Sequence, residues 1–189
     1  MRRKLVGLAA TALLIAASAQ PAAAQARGYI GFGAGVTLPL GSFKDEAKLG
    51  WLGQVLGGVT AKDGMWGGRI DGTYGRHSIK GLTGGVTGHD ALIGFNADVV
   101  LTPGKSASKT RPYFLAGVGM YNFKATFSSG TTTGSGSSTK FAFNGGAGLN
   151  IHTSGQMAVY VEGRFVSVQT TGGSTNFIPF TVGLRWGGF

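Results

Sequence analysis

The final thirteen residues, FIPFTVGLRWGGF from Phe177 to Phe189, alternate. Ile178, Phe180, Val182, Leu184 and Trp186 are apolar, while Pro179, Thr181, Gly183, Arg185 and Gly187 are small, polar or charged. A period of two with a broad apolar side defines a strand with one oily face. No segment beyond residue 24 contains the roughly 20 consecutive apolar residues of a membrane helix. A membrane home for this chain is therefore built from strands, which span in about 9–11 residues each.

The amino terminus directs the chain out of the cytoplasm. Arg2, Arg3 and Lys4 precede the apolar run Leu5–Ala17, and Pro21 leads into Ala22-Ala23-Ala24, a small-x-small cleavage site. This is the pattern of a secretory signal peptide over residues 1–24. Cleavage is expected after Ala24, with Ala26 the alternative, and the apolar run is short for a membrane anchor. The remaining Gln25–Phe189 is one domain in length. Eight spanning strands would occupy about 80–90 of its residues and leave the rest for turns and loops.

Composition agrees. Thirty-six glycines would weaken helices but suit turns and strands that coil tightly. The chain has no cysteine, which an oxidising compartment permits. Its formal charge of +10 loses three units with the leader. A basic exported barrel faces anionic headgroups or acidic partners, and nucleic acid is not an expected partner.

Eight alternating segments are expected: Gly28–Leu38, Trp51–Ala61, Trp66–Gly75, His89–Leu101, Pro112–Phe127, Lys140–His152, Met157–Val168 and the closing strand from Phe177. Gly117 and Gly119 leave the outward face of the fifth open. Pro39–Gly50 reads as a charged loop, Arg76–Gly88 as a second, and Ser128–Thr139 as a flexible Ser/Thr/Gly loop. Long connections thus alternate with shorter ones, as a barrel with long outer loops and short periplasmic turns requires.

GYIGFGAGVTLPLGSF near the start, RPYFLAGVGMY in the middle and FIPFTVGLRW at the end resemble the small outer-membrane β-barrel family that includes OmpA-type, OmpX-type and opacity-protein barrels. The resemblance covers essentially the whole mature chain and rests on architecture. It implies an all-β fold, an eight-stranded antiparallel up-and-down transmembrane β-barrel, in the bacterial outer membrane. It also implies assembly by the barrel-assembly machinery. In the family the final aromatic shares a face with the outward residues of the last strand. Trp186 and Phe189 here fall on opposite faces, and a bulge at Gly187-Gly188 would restore the phase.

Arg69, Asp71, Asp98, Glu162, Arg164 and Arg185 all fall on the polar side of their strands. The interior of an eight-stranded barrel is narrow and filled by side chains, so charges there must pair. A salt-bridged plug is expected, and a proton or ion path is its rival. His152, Ser154 and Glu162 are residue types that can activate a hydroxyl, and barrel-shaped lipid A deacylases carry a similar His-x-Ser. That pair, however, belongs to a periplasmic turn. Gly31-Phe32-Gly33-Ala34-Gly35 lacks the strand-before, helix-after context of a phosphate loop. His77 and His89 flank one loop without the cysteines or acidic cluster of a metal site. Trp51, Trp66, Tyr74, Tyr121, Phe127, Phe177 and Trp186 are expected to form aromatic girdles.

The sequence thus predicts a monomeric barrel with a structural or surface-interaction role, no catalytic residues and no cofactor or metal. Lys44, Lys48, Arg76 and Lys80 are candidate contacts for lipopolysaccharide. A narrow solute pore is the alternative, and a lipid-A-modifying enzyme a weaker one. A soluble lipocalin-like barrel would carry its apolar face inward.

Overall fold

A computed structural model describes residues 26–79, 87–104, 108–129 and 132–188. Its strands are β1 (Arg27–Leu40), β2 (Gly50–Thr60), β3 (Trp66–Ser78), β4 (Thr87–Leu101), β5 (Thr110–Ser129), β6 (Thr132–Ser154), β7 (Met157–Thr170) and β8 (Gly173–Gly187). Each is antiparallel to its neighbours, and β8 returns to β1 to close the barrel. Closure removes the sheet edges that lipid does not tolerate.

Sequence parity dictates which residues face out. Ile30, Phe32 and Val36 of β1, Val55 and Val59 of β2, and Ile93, Phe95 and Val99 of β4 are exposed on the outer wall. Their odd or even counterparts are buried inside. β5 follows the same rule: Phe114, Val118 and Met120 point outward, while Tyr113, Leu115 and Tyr121 point inward. An apolar outside around a polar inside is the inverse of a soluble lipocalin-like barrel.

Room for large inward side chains comes from small residues on adjacent strands. A Cβ at Gly33 would strike the Tyr160 hydroxyl, and one at Gly148 would strike the Tyr113 ring. Both tyrosines are fully enclosed.

Three sequence expectations are corrected. Within Pro39–Gly50, β1 continues to Leu40 and Ser42–Glu46 forms a single helical turn, α1. Phe43 of α1 and the following Ala47 are buried in the barrel end, four residues apart on one side of the helical turn, while Leu49 beyond them is exposed. Ser128–Thr139 is not a loop but largely strand: β5 and β6 remain in register from Thr110↔Ile151 to Ser129↔Thr132. Ser and Thr carry little loop preference once a neighbouring strand satisfies their backbone. Finally, Gln169–Asn176, expected as the loop between Met157–Val168 and the closing strand, is mostly strand, with Thr170↔Gly173 closing the ladder. Gly172, at φ 89°, supplies the positive φ that this tight turn requires.

The expected bulge at Gly187-Gly188 takes another form. The β8–β1 register continues without a shift to Tyr29↔Gly187. Gly187 and Gly188 then adopt φ values of 84° and 76°, a conformation open to glycine. The expected signal peptide over residues 1–24, Lys80 and Phe189 lie outside the described residues.

Candidate functional site

The lumen is stacked in layers. At mid-height Arg69 projects from β3, Asp98 from β4, and Glu162 and Arg164 from β7, with Asp71 two residues along β3 from Arg69. Arg69 grips Glu162 with two prongs, Nη1 donating to Oε2 at 2.6 Å and Nη2 to Oε1 at 2.9 Å. Its Nε and Nη2 also donate to Asp71 Oδ1 at 3.2 and 3.1 Å. Arg164 Nη2 donates to the same Asp71 oxygen at 2.7 Å and to Glu162 Oε1 at 3.2 Å. It lies 3.3 Å from Asp98 Oδ2.

Neutral groups complete the layer. Tyr113 OH donates to Glu162 Oε2 at 2.8 Å and Asn96 Nδ2 to Asp71 Oδ2 at 2.8 Å. Tyr160 OH donates to Gln54 Oε1 at 3.1 Å, tying β7 to β2 across the lumen. Removing charges from water is costly, and only close, hydrogen-bonded pairing offsets the cost. Planar guanidinium forks meet that demand better than an ammonium would.

Arg185 lies nearer the chain termini than this cluster. Its guanidinium stacks 3.8 Å from the centroid of the Tyr29 ring, and Nη2 donates to the Gly188 carbonyl at 3.2 Å. Arg111 occupies the same end, with Nη2 donating to the Gly64 carbonyl at 2.7 Å. Arg111 precedes the strand expected to begin at Pro112. Its parity with Tyr113 and Leu115, once β5 is extended, is the signal that turns it inward.

The opposite end is apolar. Phe43, Ala47, Leu92, Tyr121, Ala142, Val166, Val168 and Phe177 form one buried cluster. Phe43 meets His77, Phe123 and Phe177 at centroid distances of 5.5, 6.1 and 6.4 Å. Tyr121 and Phe177 are thus lumen residues, which corrects their assignment to an aromatic girdle; odd positions of β5 and β8 face inward. Trp51, Tyr74, Trp66 and Trp186 do face outward, and Trp51 packs against Tyr74 at 5.7 Å. The side chain of Phe127 is outside the described residues.

Little free space separates the layers. A cavity between the charged cluster and the apolar cap, lined by Thr37, Gln54, Thr73, Tyr121, Glu162 and Arg164 among others, holds about 10 Å³. Another below the cluster, beside Tyr29, Tyr113, Asn150 and Arg185, also holds about 10 Å³. Each is on the scale of a single water.

The other candidates are dispersed. His152 pairs with Ala158 near the end of β6 and Ser154, its last residue, pairs with Met157 at the turn, with a register shift between them. Glu162 pairs with Gly148 further along the barrel and is held by Arg69, Arg164 and Tyr113. The three form no triad. Lys44 and Lys48 are exposed beside α1. Arg76 belongs to β3 rather than to a loop and points outward, level with Trp51 on β2 and Ala91 on β4. His77 is buried inside and His89 is half-buried on β4, so they do not share a site. No grouping of His, Asp and Glu able to hold a metal occurs among the described residues.

A family model described as the outer membrane protein beta-barrel domain matches residues 8–186. The chain belongs to this family. Neisserial surface protein A (NspA) has the same fold, at 14% identity and a TM-score of 0.57, with 87% of this chain and 96% of that one covered. Ail, the attachment invasion locus protein of Yersinia pestis, solved with the heparin analogue sucrose octasulfate, gives 15% identity and a TM-score of 0.60, covering 86% and 99%. A major outer membrane protein from Thermus thermophilus gives 12% and 0.56, covering 86% and 99%. Among curated proteins, none matches the sequence. Membership places this barrel in the bacterial outer membrane.

Proposed function

We propose that this outer-membrane barrel has a structural and surface-interacting role, carried by the end opposite its termini, and that its lumen is closed to solutes. The observation that carries the reading is the lumen's double seal. Five charged side chains cross-link β3, β4 and β7 through the centre, and Phe43 closes one mouth. In this reading both termini are periplasmic, residues 1–24 are a cleaved leader, and α1 and the β5–β6 hairpin face the exterior.

Lipopolysaccharide is the proposed surface partner. On β3 the outward side chains run from Trp66 to Arg76. Ten residues of strand cover about 33 Å, which at the usual tilt of about 40° is a band of ~25 Å, the apolar height of such barrels. Arg76 therefore stands at the upper headgroup boundary, beside Trp51 and Tyr74. Lys44 and Lys48 would reach the same phosphates from α1, and register adds outward-facing Lys124, which pairs with the Ala91 that Arg76 also pairs with. Lys80 is part of the same proposal.

Liposome swelling tests the closed lumen. Vesicles carrying the refolded mature chain should swell in small sugars no faster than empty ones. Swelling that scales with protein content and falls with sugar size would favour the pore.

A further inference from the structure

The outer wall of the barrel is uneven. Around β6 to β8 large rings cover the backbone. Phe141 packs edge-on to Phe143 at 5.0 Å, and a Cβ at Gly163 would meet the Phe180 ring at 3.0 Å. The wall formed by β2 to β5 is barer. Its outward positions include Gly57, Gly68, Ala97 and Ala116, and a Cβ at Gly68 would have nothing within 4 Å. Register sets each of these opposite a larger residue, Gly57↔Ile70 and Gly68↔Val99 among them, so the depressions join diagonally. The result is an open apolar basin of about 870 Å³.

Charge gathers directly below it. The connections at the end that holds the chain termini, residues 61–65 between β2 and β3 and 102–109 between β4 and β5, carry three lysines and one acid in the sequence. Lys62 and Lys109 are exposed. The acid is Asp63, whose Oδ1 accepts from the Met65 N–H at 2.9 Å. The β6–β7 turn at the same end, Ser154-Gly155-Gln156, carries no charge. Trp66, exposed at the start of β3, lies between Lys62 and the basin, at the level of the headgroups.

Lipid tails are as apolar as this wall, so no hydrophobic gain distinguishes one part of it from another. A depression differs by packing: a chain seated in it has partner atoms on several sides, and one that bridges it forfeits them. The basin's volume lies within the roughly 300–1,000 Å³ of small-molecule sites. Cations beside it add attraction for a phosphate. We infer that the basin and the lysines below it hold one anionic phospholipid, an acyl chain crossing Gly57 and Gly68 and the headgroup phosphate at Lys62 and Lys109. A second copy of the chain would instead bring these lysines together. The site lies at the opposite end from the proposed lipopolysaccharide contacts.

The experiment uses the mature chain in detergent micelles and native mass spectrometry, with phosphatidylglycerol and phosphatidylcholine of identical acyl chains as probes. The wild type should retain one phosphatidylglycerol about tenfold more tightly than phosphatidylcholine. Filling the floor with Gly57→Leu and Gly68→Leu should weaken phosphatidylglycerol about tenfold. Gly53→Leu, on the same strand outside the basin and with nothing within 4 Å of the new carbon, should leave it unchanged. The pair Lys62→Glu and Lys109→Glu leaves the wall intact and should abolish the preference, with heat-modifiable gel mobility showing a folded barrel. Equal retention of the two lipids by the wild type would overturn the inference. So would phosphatidylglycerol binding that survives the filled floor, an equal loss in Gly53→Leu, or dimers in place of bound lipid. The assay depends neither on solute flux nor on the orientation of the barrel, so this inference and the proposed function fail separately.

Discussion

Arg69 and Glu162 lie 93 residues apart in sequence and meet in the middle of the barrel through two parallel hydrogen bonds of 2.6 and 2.9 Å. That contact joins β3 to β7 across the lumen, a distance no neighbouring-strand ladder covers. It also divides the three carboxylates by role. Glu162 and Asp71 each receive several donors, whereas Asp98 makes ion-pair contacts of 3.3 and 4.0 Å and no hydrogen bond.

Glu162→Ala should therefore lower the unfolding free energy by about 3–5 kcal/mol, since it strands a buried guanidinium. Asp98→Asn should change it by about 1 kcal/mol or less, because two arginines then face two carboxylates. Urea unfolding in lipid vesicles, followed by tryptophan fluorescence, compares the two. Equal losses would contradict this division.

Gly33→Ala should cost about 1–3 kcal/mol, because the added methyl meets the Tyr160 hydroxyl and the Val182 carbonyl. Gly53→Ala, with nothing within 4 Å of the new carbon, should be close to neutral. The same unfolding measurement reads both.

Phe43→Ala should open the cap without opening the lumen. Protease nicking near α1 should rise severalfold, since the turn loses its buried anchor. Ion flux should stay at background, because the charged layer lies beneath. Flux in this variant would mean that Phe43 is the main seal.

The wall can be probed one residue at a time. Leu149 is 43% exposed and its neighbour Asn150 only 4%. A lipid-soluble thiol reagent should label Leu149→Cys rapidly and Asn150→Cys far more slowly. The reverse order would place the apolar face inside.

Strand parity was legible in the sequence wherever large residues occupied alternate positions, as in β4 and β8. It blurred in β5, where Gly117 and Gly119 stand in for bulky inward residues because Asp98 and Asn96 lie directly against them. The acids and arginines of the lumen were recognisable by parity alone. Their pairing with Tyr113 and Asn96, and the Tyr160–Gln54 contact beside them, were not, since pairing depends on register between strands distant in sequence. The extended hairpin was hidden for another reason. Ser, Thr and Gly have the same composition in a loop as in a strand whose side chains pack against nothing. Phe43 was missed because one aromatic in a charged segment has no period to reveal which way it turns.

The most direct test of the account is single-channel conductance of the refolded mature chain in a planar bilayer. The sealed lumen predicts a silent membrane under applied voltage, both for the wild type and for Phe43→Ala. Steady, reproducible current steps from the wild type would contradict it and make the inward arginines and carboxylates the lining of a water path.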